Sequence, residues 1–158
     1  MKTVSAVTLD DIDRRMLRAL QNDGRMTNAD LARMVNLSES ACRRRLRALE
    51  AEGVISRYAA VVNERAVGLP ISVFVTVTLS SQAESALTAF EAAVAGVPEV
   101  VECYLMTGAS DYLLRLVVRD VDDLERIHAR ELTRLPGVTR VSSSVAMRTV
   151  VKRSALPL

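Results

Sequence analysis

A cluster of arginines is the group of residues in this sequence best suited to bind a charged partner. The cluster comprises Arg43, Arg44, Arg45 and Arg47, and Glu39 is the single acidic residue between positions 38 and 47. Arginine pairs with phosphate oxygens and binds guanine through two parallel hydrogen bonds. A solvated helix face produces the same run of charge, so the cluster alone leaves DNA binding and a plain solvated surface as equal alternatives.

The distribution of charge adds to this observation. The whole chain carries a net charge of only +2, but residues 1–62 hold 11 basic against 8 acidic residues and residues 63–158 hold 10 against 11. The excess positive charge therefore lies in the first part of the chain, together with the arginine cluster.

A second polar group, formed by Asp122, Asp123, Glu125 and His128, has the residue types of acid–base catalysis. Acidic residues at a helix start favour the helix dipole, however, and His128 lies on or beside an apolar stripe. The sequence has no nucleophile–base pair and no glycine-rich phosphate loop. We therefore expect a protein that is not an enzyme and that uses no metal ion and no cofactor.

The composition narrows the class of protein further. The chain has 158 residues, of which 49% are hydrophobic and 25% charged, with one histidine and two cysteines. These numbers exclude disorder, a disulfide framework and a zinc site, and they favour a reducing, cytoplasmic environment. No apolar run is long enough to span a membrane, and the charged residues 1–13 do not form a signal peptide.

Three short helices are predicted in the first part. The first begins near residues 8–11 and ends at Gly24, the second begins at Thr27, and the third runs from Ser38 to about residue 52. Residues 54–62 are predicted as an extended ribbon. A short helix, a tight turn and a basic helix form a helix-turn-helix.

Helical periodicity separates the faces of the third helix. Cys42, Leu46 and Leu49 gather on the inward face, and Ser40, Arg44 and Arg47 lie opposite, flanked by Arg43 and Arg45. We expect Arg45 to support the backbone or the core. The predicted DNA-binding residues are Thr27 and Ser38, through the free N–H groups at their helix starts, with Ser40, Arg43, Arg44, Arg45 and Arg47. A three-helix packing module without DNA is the alternative.

The second part is predicted to be a βαββαβ domain of ferredoxin-like form, which makes the whole chain α+β. Its elements are a strand at 71–79, a helix opened by a capping box at Ser81–Glu84, strands at 100–106 and 112–118, a helix capped by Asp120, and a strand from about 139 to 151. The predicted domains are therefore 1–62 and 71–158, joined by a linker at 63–70.

This topology leaves one sheet face without helices, yet that face is not polar. Phe74 lies among Ser and Thr on the first strand, and the central strands are apolar on both sides. Strands buried on both faces need a second layer. We expect a second copy of the chain to supply it, which gives a homodimer with two recognition helices.

Several segments, in order, resemble the Lrp/AsnC (leucine-responsive, feast/famine) family of regulators. They are Leu9–Asp13, Leu37–Leu46, Leu49–Ile55, Thr107–Leu114, Leu135–Val138 and Val150–Arg153. The resemblance implies an N-terminal helix-turn-helix and a C-terminal βαββαβ ligand-sensing domain. It also implies dimers that often assemble to octamers, binding to DNA, and control of amino-acid metabolism genes in response to an amino acid.

The resemblance also implies an effector site between dimers, near the loop Gly108–Asp111. A glycine turn brings N–H groups to a carboxylate, and an aspartate accepts from an ammonium group. The residues carried over are Thr107, Gly108 and Asp111, with Tyr104, Tyr112 and Ser144 as further candidates. A plain turn in which Asp111 caps backbone groups is the alternative.

The sequence thus predicts a sequence-specific DNA-binding regulator of amino-acid metabolism genes that responds to an amino-acid effector. An architectural protein that compacts DNA with little sequence preference would use the same arginines and remains the alternative. The effector, the operators, the sign of regulation and the choice between dimer and octamer stay open.

Overall fold

The computed structural model describes residues 7–158, which form two compact units. The first unit comprises the described residues up to Val61 together with Val151–Leu158, and the second comprises Val62–Val150. Residues 1–6, which the sequence analysis includes in the first domain, lie outside the described residues.

Three helices form the body of the first unit, and each begins at a polar capping residue. Asp10, Thr27 and Ser38 each accept a hydrogen bond from the backbone N–H three residues further along the chain, which satisfies a donor that the helix leaves free. The helices are α1 (Asp11–Asn22), α2 (Asn28–Val35) and α3 (Glu39–Ala51).

The core of this unit is small and aliphatic. Met16, Leu31 and Val35 are buried, and Cys42 and Leu49 of α3 pack against them. The predicted core position of Cys42 is confirmed, and burial raises the pKa of its thiol. Residues 54–62 do not form the predicted ribbon, because they pair with no strand of the described chain; Val54 and Ile55 pack on this core instead.

The end of the chain completes the first unit. The backbone of Leu156 donates to Gln21 Oε1 (2.5 Å), Gln21 Nε2 donates back to the Leu156 carbonyl (3.3 Å), and Arg18 Nη1 donates to the main-chain oxygen of Leu158 (2.6 Å). The Leu158 side chain joins the hydrophobic core. The structure thus groups residues 151–158 with the first unit, whereas the sequence analysis assigns them to the second domain.

The second unit contains four strands and two helices in the order strand, helix, strand, strand, helix, strand. The sheet order is β2-β3-β1-β4 with every neighbouring pair antiparallel, which confirms the predicted ferredoxin-like fold. The elements are β1 (Ile71–Leu79), α4 (Glu84–Val94), β2 (Val100–Leu105), β3 (Tyr112–Val118), α5 (Val121–Arg130) and β4 (Val138–Val145).

Alternation along the central strands separates the two faces of the sheet. Val73, Val75 and Val77 of β1 are fully buried and pack with Phe90 of α4 and Ile127 of α5. The intervening residues of β1 point to the other face, which no helix of the described chain covers. We call this the open face.

Two details differ from the sequence analysis. The capping box at Ser81–Glu84 is absent, because α4 is capped at Ala83 without a side-chain bond and Ser81 Oγ accepts from Ala83 N (3.2 Å) in the preceding turn. The last strand ends at Val145, opposite Val73, instead of at residue 151. One further bond joins Ala146 N to the Ser72 carbonyl (2.9 Å), and the residues from Val151 onward belong to the first unit.

Candidate DNA-binding surface and effector region

The outer side of α3 carries an exposed basic groove. Ser40, Arg43, Arg44 and Arg47 line it together with Glu39, and its volume is about 480 Å³. All three arginines are exposed, and none of them forms an ion pair or hydrogen bond with the described residues. The structure thus brings together four predicted residues, and the charged groups of the three arginines among them are available to a ligand.

Arg45 lies apart from this groove. Its Nη1 donates to Asp10 Oδ2 (2.7 Å) and to Asp13 Oδ1 (2.9 Å), which are the two carboxylates of the α1 capping box. The Asp13 backbone N–H and the Arg45 guanidinium lower the pKa of Asp10. The two ion pairs join α3 to the start of α1, so Arg45 supports the packing of α3.

Thr27 and Ser38 use their hydroxyl groups within the unit. Thr27 Oγ1 accepts from Asp30 N (3.1 Å), and Ser38 Oγ accepts from Ala41 N (3.3 Å). Their side chains therefore cap α2 and α3, and the remaining free N–H groups at these helix starts stay available to phosphate.

Asn28 is a residue that the sequence analysis missed. Its Nδ2 donates to the carbonyl of Glu39 (3.0 Å), which joins the start of α2 to the start of α3. Its Oδ1 is buried without a partner among the described residues. The only sequence signal is an Asn directly after the cap Thr27, a position that does not reveal a bond to another helix.

The predicted effector loop is held firmly by Asp111. Its Oδ2 accepts from Leu79 N (2.7 Å) and its Oδ1 accepts from Gln82 Nε2 (2.7 Å), and the residue is buried. Gly108 has a φ of +122°, which favours glycine, and no atom lies within 4 Å of where its Cβ would be. The two Asp111 oxygens thus fix the loop to the end of β1 and to the turn that follows it.

The remaining effector candidates lie on different parts of the sheet. Tyr112 points to the helix face, where its hydroxyl donates to Glu91 Oε1 (3.0 Å) and its ring stacks on Phe90 at 4.4 Å. Burial is the main cause that raises the pKa of Tyr112, and the hydrogen bond to Glu91 raises it further. Tyr104 is half-exposed on the outer strand β2, and Ser144 lies on β4 at the opposite edge. One chain alone does not bring the six candidates together.

A cleft between α4 and β2 was not predicted. Its volume is about 280 Å³, and Glu91, Cys103, Leu105 and Tyr112 are among its lining residues. Of the six effector candidates, Tyr112 lines it.

The open face carries apolar side chains and one ionic group. Phe74 is 41% exposed near the middle of the sheet, and Tyr104 is exposed near the β2 edge. Arg115 of β3 binds Glu102 through Nε (2.8 Å) and Glu64 through Nη1 (3.2 Å).

Asp123, one of the four residues considered for catalysis, has a structural role. Asp123 is buried and pairs with Arg119 (3.2 Å) and Arg126 (2.8 Å), which hold the pKa of its carboxyl far below the usual range. Within residues 7–158 no cluster of His, Cys, Asp and Glu could hold a metal ion, and no helix could cross a membrane.

Comparison with known proteins gives two family matches. The model of the Lrp/AsnC ligand binding domain matches residues 72–156, and a winged helix-turn-helix DNA-binding model matches residues 9–56.

Similar proteins cover nearly the whole chain. The Bkd operon transcriptional regulator of Pseudomonas aeruginosa is 42% identical over 95% of this chain and 98% of its own length. The leucine-responsive regulatory protein of Escherichia coli is 38% identical over 94% of this chain and 90% of its own length.

Solved structures agree with these matches. A transcriptional regulator from Neisseria meningitidis, crystallised with L-Met, superposes with a TM-score of 0.89 at 35% identity over 95% of this chain and 97% of that chain. An AsnC family regulator from Agrobacterium tumefaciens superposes with a TM-score of 0.89 at 38% identity, over 94% of this chain and 97% of that chain.

Proposed function

Because the chain belongs to the Lrp/AsnC family of transcriptional regulators, we propose that it binds specific DNA sites through α3 and responds to an amino acid. We assign DNA binding to residues 1–62, linkage to 63–70 and sensing to the sheet unit, and we place the protein in the cytoplasm. We assign no catalytic activity, because the relatives that span the chain are transcriptional regulators.

The observation that carries the proposal is the set of arginines on one side of α3 that pair with none of the residues 7–158. Arg43, Arg44 and Arg47 face outward while Arg45 fastens the helix from behind. A rigid helix with free guanidinium groups on one side suits the major groove. The helix starts that Thr27 and Ser38 cap contribute backbone N–H groups to phosphates.

The effector proposal rests on the ligand-binding domain and on the Neisseria relative, which was crystallised with L-Met. We place the effector at the loop that contains Thr107 and Gly108, where backbone N–H groups can receive a carboxylate. Asp111 shapes this loop, and Tyr104, Tyr112 and Ser144 remain candidate contacts. Since one chain does not bring these residues together, a second copy must complete the site.

The experiment that tests the proposal is fluorescence anisotropy of the full-length protein with DNA upstream of its own gene. Binding is measured against random DNA at two salt concentrations, with and without each common amino acid. We expect specific DNA to bind more tightly and one or two amino acids to change that affinity. Equal affinity for both DNAs would favour the DNA-compacting alternative. The similarity to the Bkd operon transcriptional regulator favours specific regulation instead.

We also propose that the open face joins two copies in a homodimer that controls genes of amino-acid metabolism. Phe74→Lys should convert the dimer to a monomer, since a charge would be buried without a partner. Val121→Lys is the matched control, because Val121 is also exposed but lies at the start of α5. Light scattering measures the mass, and a wild-type monomer would contradict the proposal.

A further inference from the structure

Four side chains form a continuous chain of hydrogen bonds and ion pairs on the open face. Tyr104 Oη donates to Glu102 Oε2 (3.1 Å), and Arg115 Nε donates to Glu102 Oε1 (2.8 Å). Arg115 Nη1 then donates to Glu64 Oε1 (3.2 Å). The chain of bonds runs from the outer strand β2, across β3, to the segment that precedes the sheet.

The two ends of this chain lie next to the two functional regions. Tyr104 is three residues before Thr107, on the strand that leads into the loop proposed for the effector. Glu64 is three residues after Val61, at which the first unit ends and the linker follows. The bonds therefore connect the sensing region to the linker through side chains and not only along the backbone.

Arg115 is the central member, and it serves two carboxylates with one guanidinium group. Its side chain is only 15% exposed, and Glu102 lies directly opposite it in the strand pairing, just after a register shift at Val100. The two glutamates repel each other and share one cation. A stronger hold of Arg115 on Glu102 therefore weakens its hold on Glu64, and the reverse is also true.

We infer that Arg115 is a positioning residue that transmits the state of Tyr104 to the linker through Glu64. The inference rests on the proposed function, because it requires an effector at the loop beside Tyr104. When the effector takes the Tyr104 hydroxyl, Glu102 loses a donor and binds Arg115 more tightly. The ion pair between Arg115 and Glu64 then weakens, and the linker that precedes the sheet becomes more mobile.

The first test needs no effector and uses trypsin cleavage after Arg65 in the full-length protein, followed by mass spectrometry. Tyr104→Phe imitates the loss of the donor, so we expect the linker to be cut about two- to threefold faster, in the range of a partly exposed ion pair. Glu102→Gln removes the competing charge, so we expect cleavage to be slower by a similar factor. A general loss of stability would speed cleavage in both variants.

Two controls isolate the chain of bonds. Glu99→Gln breaks an ion pair of similar length with Arg126 (2.7 Å) that does not belong to the chain, and its cleavage rate should equal that of the wild type. Glu64→Gln removes the last member, so adding Tyr104→Phe to it should change nothing. The Glu64→Gln variant is compared with the Glu64→Gln/Tyr104→Phe double variant, because both carry the same residue beside the cleavage site after Arg65.

The second test measures how each amino acid changes DNA affinity in the same variants. Glu64→Gln should bind DNA and effector within about twofold of the wild type but should lose most of the effector-induced change, which is typically 5- to 150-fold in such systems.

The outcomes separate this inference from the proposed function. Opposite changes in cleavage without any amino-acid response would support the connection and contradict the amino-acid effector. Changes in the same direction, or none beyond that of Glu99→Gln, would overturn the connection even where an amino acid alters DNA binding.

Discussion

Arg44 and Arg45 are neighbours on α3 with opposite surroundings. Arg44 lines the exposed groove, whereas Arg45 is bound between Asp10 and Asp13 of α1. One residue turns a helix by about 100°, which is enough to separate a ligand-facing guanidinium from one that holds the helix in place.

Replacing Arg44 tests the ligand-facing role. We expect Arg44→Ala to weaken specific DNA binding by about 1–3 kcal/mol if the side chain reads a base. If it meets only phosphate, the loss should be equal for all sequences, and the salt slope should fall by about one. Anisotropy titrations over a range of salt concentrations distinguish the two results. Unchanged affinity would show that Arg44 does not contact DNA.

Replacing Arg45 should have a different effect. Arg45→Gln leaves Asp10 and Asp13 without their cation, so we expect a lower urea midpoint of unfolding than for Arg44→Ala. The salt slope of DNA binding should stay that of the wild type, because no phosphate contact is lost. A reduced slope with an unchanged midpoint would contradict the packing role.

Local spacing predicts the direction of a side chain but not its distant partners. The helical period correctly placed Cys42 inward and Arg44 outward. It could not foresee that Arg45 meets residues more than 30 positions away, or that Asp111 accepts from Leu79 and Gln82. These bonds depend on how the elements pack, which one sequence does not encode in its spacing.

At the scale of the element, Asp123 fastens the start of α5. Asp120 caps the helix by accepting from Asp123 N (2.7 Å), while the Asp123 carboxylate binds Arg119 and Arg126. Arg126 also binds Glu99, which lies just before β2. This group joins a helix start to a strand start.

The low pKa of Asp123 predicts how stability depends on pH. Folded Asp123 keeps its charge where unfolded aspartate, with an ordinary pKa of about 3.9, takes up a proton. The ion pairs therefore stabilise the fold above that pH, and the contribution is lost as the pH falls toward the lower folded-state pKa. We expect Asp123→Asn to lower the urea midpoint at pH 7 and to approach the wild type at pH 3. The exposed neighbour variant Asp122→Asn is the control, and an equal deficit at both pH values would contradict this assignment.

The elements themselves were largely predictable because their signals are local. β1 shows a strict alternation, and Thr27 and Ser38 cap helices as expected. The errors occur at the ends of elements, where contacts with neighbouring segments set the boundary. β4 ends at Val145, which pairs with Val73 of β1, and α4 begins without the expected capping box.

At the scale of the whole molecule, the chain enters the first unit twice. Residues 151–158 return to α1, and their side chains show no periodicity that would reveal this packing. Spacing along the chain therefore does not predict this contact with α1.

The return of the tail predicts different effects for two leucines. Leu158 packs in the first core, while Leu156 is 68% exposed and contributes only backbone bonds. We expect Leu158→Ala to destabilise the first unit by about 1 kcal/mol, less than for a fully buried leucine. Hydrogen exchange of the α1 amides should be faster in Leu158→Ala and unchanged in Leu156→Ala. Equal exchange in both variants would mean that the tail does not support α1.

The returning tail also determines how regulators of this kind can be recombined. A chimaera made with one junction at residue 62 would give the DNA-binding head of one protein the tail of another. Gln21 and Arg18 would then face a foreign segment, although both halves were intact in their parents. A faithful exchange of heads needs a second junction near residue 150, so that α1 keeps the eight residues that belong to it.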